Sequence, residues 1–148
     1  MSEDLHDLYQ AIILDHNKRP RNYGPLPSAT HHAEGYNPLC GDQIEVFLEI
    51  QGESVVAIRF ESASCAICKA SASMMTESIA GKRLQVIESI SAEADRILKT
   101  DTKVDVEAVG EMAALAGVRQ FPARIKCAML PWKTYRAAIE GRAKFEER

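Results

Sequence analysis

The sequence predicts an α+β fold, a small antiparallel sheet of about three strands with helices packed on one face, and three observations lead there. Residues 44–60 hold two successive runs in which apolar and polar side chains alternate, the period of a strand with one buried face. Segments with apolar residues at helical spacing stand before and after these runs. The strands come together and the helices follow, so no βαβ alternation calls for a parallel sheet.

In chain order, Leu5, Leu8, Tyr9, Ile12 and Ile13 recur at helical spacing and give a first amphipathic helix that stops before Pro20. Asn17 to Pro27, with Pro20, Gly24, Pro25 and Pro27, reads as a loop. Thr30 to Gly35 carry a weak strand signal. Ile44, Val46, Leu48 and Ile50 alternate with Glu45, Phe47 and Glu49. After the turn Gln51-Gly52-Glu53, Val56, Ile58 and Phe60 alternate with Ala57 and Arg59, which makes the pair an antiparallel hairpin. From Ala66 to Ala80 the chain is rich in Ala, Ser and Met with no β-branched run, which favours a helix able to lie close on a sheet, ended by Gly81. Leu84, Ile87, Ala94, Ile97 and Leu98 mark another helix, and Val106, Val109, Met112 and Ala113 a shorter one before Gly117. A last helix carries Trp132, Tyr135, Ala138 and Ile139. Pro131 either begins it or kinks a longer helix starting near Arg124, and the sequence leaves both open. No repeat or linker interrupts the chain, so residues 1–148 are expected to form one domain.

Composition narrows the function classes. With 46% hydrophobic and 26% charged residues the chain is globular rather than disordered. Lys plus Arg total 18 against 21 for Asp plus Glu, a net charge of -3 that offers no basic excess for nucleic acid. The apolar runs are far short of the roughly 20 residues of a membrane span. The chain opens on Ser2, Glu3 and Asp4 rather than on a basic and then greasy leader, so a soluble, cytoplasmic protein is expected. In a reducing compartment, spaced cysteines point to metal binding or thiol chemistry more than to disulfides.

Cys40-Gly41-Asp42 sets a thiol and a carboxylate two residues apart, and the glycine between them can take the positive φ that turns both toward one point. Asn37-Pro38-Leu39 before it is turn-like and the hairpin follows it, so the pair sits on a loop at a sheet end. Cys65 lies where the second hairpin strand passes into a helix. A hairpin joins strand ends, so Cys40 and Cys65 can meet although far apart in sequence. Cys127 needs only its own helix docked beside that edge. Three thiolates and a carboxylate suit tetrahedral zinc, and the same set could hold iron with bridging sulfide. Arg124 and Lys126 are either ordinary surface charges or cations that offset the negative site. The positive end of the helix after Cys65 favours an anionic ligand there.

Taken together, Cys40-Gly41-Asp42, Ser64-Cys65 leading into Ala70-Ser71-Ala72-Ser73-Met74-Met75-Thr76, and Arg124-Ile125-Lys126-Cys127 resemble the SufU branch of the NifU and IscU superfamily of iron–sulfur assembly proteins. The likeness spans nearly the whole chain, including the loop Asn17-Arg19-Pro20-Arg21-Asn22 and a helical insertion between the second and third motifs. Lys126 points to the SufU branch, because IscU-type proteins carry histidine before the last cysteine. The resemblance implies a single NifU N-terminal/IscU-like domain. It also implies a zinc site with Cys40, Asp42, Cys65 and Cys127 as ligands, and a pyridoxal-phosphate cysteine desulfurase of the SufS type as partner. Downstream, an assembly scaffold or apo-proteins would take the sulfur. On this view the protein is a zinc-dependent sulfur acceptor in which a partner histidine takes the place of Cys40, freeing Cys40 to accept persulfide sulfur. The alternative is a scaffold that assembles and transfers a [2Fe-2S] cluster.

Cys68 departs from the branch pattern by making Cys65-Ala66-Ile67-Cys68 a C-x-x-C; a packed, unreactive thiol is its expected state, and a substitute ligand or a disulfide with Cys65 under oxidation are the alternatives. A thioredoxin-like role lacks the βαβ setting it needs. His31 and His32, adjacent on a strand, point to opposite faces and make no metal pair. Met74 and Met75 are expected in a helix core, and Trp132 and Tyr135 as packing residues of the last helix.

Overall fold

The computed structural model describes residues 3–100 and 103–147, so Ser2 of the acidic opening lies outside them. Strands β1 (His31–Asn37), β2 (Asp42–Gln51), β3 (Ser54–Ala63) and β4 (Lys144–Glu146) form one sheet in the order β3-β2-β1-β4. β2 runs antiparallel to both β1 and β3, while β4 runs parallel to β1 with Gly35 opposite Phe145. The sheet is therefore four-stranded and mixed, not three-stranded and antiparallel. β4 escapes a periodicity argument because three residues, two of them charged, are too short to alternate.

The alternation in β2 holds, with Ile44, Val46 and Leu48 buried on one face. In β3 it slips: Val55 is buried and Val56 is 42% exposed, whereas alternation assigned Val56 to the core face. The pairing register shifts between Glu49, opposite Ala57, and Ile50, opposite Val55, so Val56 is the extra residue of a β-bulge in β3 and faces outward before Ile58 and Phe60 return inward.

Helices α2 (Ala66–Ile79) and α5 (Pro122–Ile139) cover the apolar face, and α1 (Glu3–Lys18) and α3 (Leu84–Lys99) pack around them. α2 and α5 are pinned at Ser71, whose Oγ donates to the Ala128 carbonyl at 2.6 Å and accepts from Trp132 Nε1 at 3.1 Å. α5 lies so close to β1 that a Cβ on Gly35 would stand 1.9 Å from Thr134 Oγ1. Met74, Met75, Trp132 and Tyr135 are buried as expected. α5 begins at Pro122 and contains Pro131, which settles the open question in favour of one long helix. Pro131 has no N–H to give the carbonyl four residues back, that of Cys127.

The expected helix before Gly117 is two pieces. α4 (Val106–Val109) ends at Gly110, whose φ of 61° breaks the winding, and a 3-10 stretch runs from Gly110 to Gln120. Met112 to Val118 are buried without interruption, so this stretch packs on several sides rather than along one stripe, and no helical face could announce it. No described helix is long and apolar enough to cross a membrane.

Candidate metal centre

The turn between β1 and β2 builds the first half of the site. The Gly41 N–H donates to the Asn37 carbonyl at 2.8 Å, and buried Asn37 accepts from the Leu39 N–H through Oδ1 at 3.1 Å. Gly41 takes the positive φ, 75°, that the sequence asked of it. Cys40 is left exposed at the tip, while Asp42, the first residue of β2, turns into the buried face. Register brings in the next ligand candidate: Gln43 pairs with Ala63, so the chain leaving β3 passes beside Asp42. There the Cys65 N–H donates to Asp42 Oδ1 at 2.8 Å. Cys65 caps α2, its sulfur accepting from the Cys68 N–H at 3.4 Å. Cys127 enters, buried, from α5.

The four side chains converge. Cys40 Sγ lies 3.1 Å from Asp42 Oδ2 and 3.3 Å from Cys127 Sγ, and Cys65 Sγ lies 3.5 Å from Asp42 Oδ2. Ligand atoms of Cys40, Asp42 and Cys127 all fall within 4.8 Å of one another; Cys65 stands outside that mutual set and touches it through the carboxylate. Four ligands around one zinc would be separated by tetrahedral edges of about 3.5 to 3.8 Å, given bonds of about 2.0 to 2.3 Å. The spacings among Cys40, Asp42 and Cys127 come close to those edges, so these three fit the ion in chemistry and in spread, whereas Cys65 lies beyond such an edge from at least one of them.

Electrostatics point the same way. Without a cation, charge on the buried Cys127 sulfur, beside Cys40 and the Asp42 carboxylate, is costly. Burial above all, then the hydrogen bond with Cys40 and the charge of Cys65, pushes the Cys127 thiol up from its ordinary value. A divalent ion would replace the Cys127 proton and satisfy the same lone pairs. Arg124 belongs to this neighbourhood: a hydrogen bond with Cys127 and the charge of Cys65 raise the pKa of its guanidinium. Lys126 turns instead toward the buried carboxylate of Glu147, at 3.9 Å. A groove of about 630 Å3 opens beside Cys40, lined by Leu39, Pro122, Ala123, Arg124 and Lys126 among others.

Cys68 is fully buried, and its surroundings, burial first, push its thiol up. His31 and His32 form no metal group among the described residues; His32 lies 3.5 Å from Glu45 and His31 hydrogen-bonds Thr30. Sequence reasoning passed over a second cluster, His16 with Glu77 and Glu111, whose members are brought together from three segments. The burial of His16 was legible, since it continues the helical face of Tyr9, Ile12 and Ile13, but its partners were not.

Comparison with known proteins adds the context. Residues 8–128 match the model of the NifU-like N-terminal domain family. The chain is 39% identical over 136 residues, covering 92% of each chain, to the zinc-dependent sulfurtransferase SufU of Bacillus subtilis. It is 33% identical, over 94% of this chain and 87% of the other, to the iron-sulfur cluster assembly scaffold protein IscU of Streptococcus pyogenes. Among solved structures, a candidate iron-sulfur cluster assembly scaffold of the SUF system from Fervidobacterium islandicum superposes with a TM-score of 0.81 at 31% identity, covering 90% of this chain and 98% of that one.

Proposed function

The chain belongs to the family of NifU-like N-terminal domains, and from that premise we propose that it serves iron–sulfur cluster assembly as a zinc-dependent sulfur acceptor. Cys40, Asp42, Cys65 and Cys127 are the metal ligands in this reading, and Cys40 is the thiol that takes the sulfur. The observation that carries it is an asymmetry within the cluster. Asp42 and Cys127 are buried and Cys65 is half-buried, whereas Cys40 is exposed on a turn hinged at Gly41. One member can leave while the others stay.

Zinc, when bound, would hold the cysteines as thiolates and shield them from oxidants and electrophiles. The rest is done by the chain. Rotation at Gly41 carries Cys40 out toward the groove beside it, where Leu39 and Pro122 offer an apolar wall and Arg124 a positive charge for an incoming sulfur anion. Asp42 cannot follow, because the Cys65 N–H holds it. The donor is a persulfide on a pyridoxal-phosphate cysteine desulfurase. Attack by the Cys40 sulfur on the outer persulfide sulfur forms one S–S bond and breaks another, and the departing electron pair returns to the donor cysteine as its thiolate. The transfer needs no external oxidant or reductant. An assembly scaffold or an apo-protein would then receive the sulfur, in the cytoplasm.

The relative from Streptococcus pyogenes favours a second reading, in which the same ligands carry a [2Fe-2S] cluster on its way to apo-proteins. Elemental analysis of chelator-free protein, paired with a desulfurase assay, separates the two. Tightly held zinc with stimulation of desulfurase turnover that is lost on zinc removal supports the acceptor. A coloured, transferable cluster after anaerobic reconstitution supports the scaffold. Mass spectrometry of loaded protein should find the added sulfur on Cys40; sulfur on Cys127 with Cys40 unmodified would refute the assignment.

A further inference from the structure

We infer that His16, Glu77 and Glu111 form a second site, separate from the thiol cluster, for a first-row divalent metal ion. The residues come from α1, α2 and the 3-10 stretch, and their ligand atoms lie within 4.8 Å of one another. His16 is fully buried, with Nε2 aimed at the two carboxylates: 2.9 Å from Glu111 Oε1 and 3.8 Å from Glu77 Oε1. A proton on Nε2 accounts for the 2.9 Å contact with Glu111, an ordinary hydrogen-bond length, but not for Glu77 at 3.8 Å. A single proton on Nε2 can serve one oxygen, whereas a metal ion serves all three groups.

The surroundings are those of a ligand histidine. The opposite ring nitrogen, Nδ1, is fixed by Ser73 Oγ at 2.7 Å, and that oxygen is itself held by the Arg21 N–H at 2.8 Å. Such an anchor on the far nitrogen orients an imidazole for coordination. The Arg21 guanidinium is engaged chiefly by Asp15 at 2.7 Å and meets Glu77 only at 3.8 Å, so it offsets the two carboxylates only in part. A cavity of about 240 Å3, lined by Met74, Glu77, Ser78, Glu111 and Met112 among others, leaves room for water in the remaining coordination positions. One imidazole and two carboxylates suit the borderline ions from manganese to zinc better than magnesium or calcium, which take all-oxygen shells. At about 1.5 Å per residue, Glu77 stands about 18 Å along α2 from Cys65, so the two sites share no ligand.

The test uses full-length protein whose thiol cluster has first been filled with one equivalent of zinc, titrated with Co2+ by calorimetry and absorption. A further equivalent should bind with visible ligand-field bands and without the near-ultraviolet band of cobalt thiolate. Its affinity should fall about tenfold or more in each of Glu77→Gln and Glu111→Gln. Both side chains are about half exposed, so the fold should tolerate these changes. Exposed Glu107→Gln should leave the affinity unchanged. Absence of that equivalent, full affinity in both variants, or a thiolate band accompanying it would overturn the inference. None of those results bears on the sulfur-acceptor reading, because the thiol cluster is occupied throughout.

Discussion

At its first turn α2 faces three sulfurs and a buried carboxylate; three turns later the same helix faces an imidazole and two half-exposed carboxylates. The first group hangs on regular structure. β2–β3 register, the cap of α2 and the start of α5 fix three of its members, and only Cys40 rides on a turn. The second group hangs on one rigid point, His16, with both carboxylates on flexible side chains at the surface. The contrast teaches where tightness and mobility are placed: mostly sulfur groups held by regular structure with one movable, exposed member at one end, and a buried imidazole met by two water-accessible carboxylates at the other.

The most damaging way to break the contrast is at Asp42, which accepts from the Cys65 N–H and from two thiols. Asp42→Ala should lower zinc affinity about a hundredfold or more, read by competition with a chromophoric chelator. In metal-free protein it should also cost about 1–3 kcal/mol for the stranded N–H, read from urea midpoints. Cobalt binding at His16, Glu77 and Glu111 should be unchanged. A smaller effect is expected midway between the two ends. Ser71→Ala removes two hydrogen bonds that tie α2 to α5, leaving the Trp132 indole N–H unpaired in the core and the Ala128 carbonyl without its side-chain donor. A loss of about 1–3 kcal/mol in urea unfolding is expected, with zinc affinity changed much less than in Asp42→Ala. If Ser71→Ala weakened zinc as severely as Asp42→Ala, the thiol end would depend on helix docking more than on its own hydrogen bonds.

The two ends were also unequally legible. Alternation at Ile44, Val46 and Leu48 made β2 readable, the hairpin then placed Cys40 near Cys65, and the Cys-Gly-Asp spacing needed only the backbone freedom of Gly41. Local pattern reached the thiol end because its members lie at ends of regular elements. His16, by contrast, meets Glu111 across 95 positions of sequence, and Glu111 sits on a 3-10 stretch whose continuous burial erased any helical stripe. The misplacement of Val56 has the same root. A bulge is set by pairing with another strand, and the alternation of one strand carries no record of it. Pro131 could not be placed because a proline is compatible both with a helix start and with a kink, and only the packing of α5 across β1 decides.

Acidity offers the mildest probe of the contrast, and it acts with opposite sign at the two ends. At the thiol end of metal-free protein, burial raises the pKa of both Cys68 and Cys127 above the ordinary 9.0. The folded state therefore holds these protons more tightly than the unfolded state does. Their contribution is complete below pH 9.0 and declines as the pH rises through the higher folded values, by up to about 1.4 kcal/mol per pH unit for each thiol. Near the other end, Arg21 first and Arg19 second hold the Asp15 carboxyl below its ordinary 3.8. What Asp15 contributes is complete above pH 3.8 and is lost as the pH falls through the lowered value. Urea midpoints of metal-free protein across the pH range should thus fall on the alkaline side with a slope that Cys68→Ala makes shallower. On the acid side they should show a gentler loss that Asp15→Asn removes in part. Zinc loading should flatten the alkaline limb due to Cys127, because an ion on the sulfurs replaces the Cys127 proton, and should steepen the acid limb, because protons displace the ion as the pH falls. The share of Asp15 and its two arginines is therefore read in metal-free protein. An alkaline limb unchanged by both zinc and Cys68→Ala would mean that neither buried thiol governs the high-pH stability of this fold.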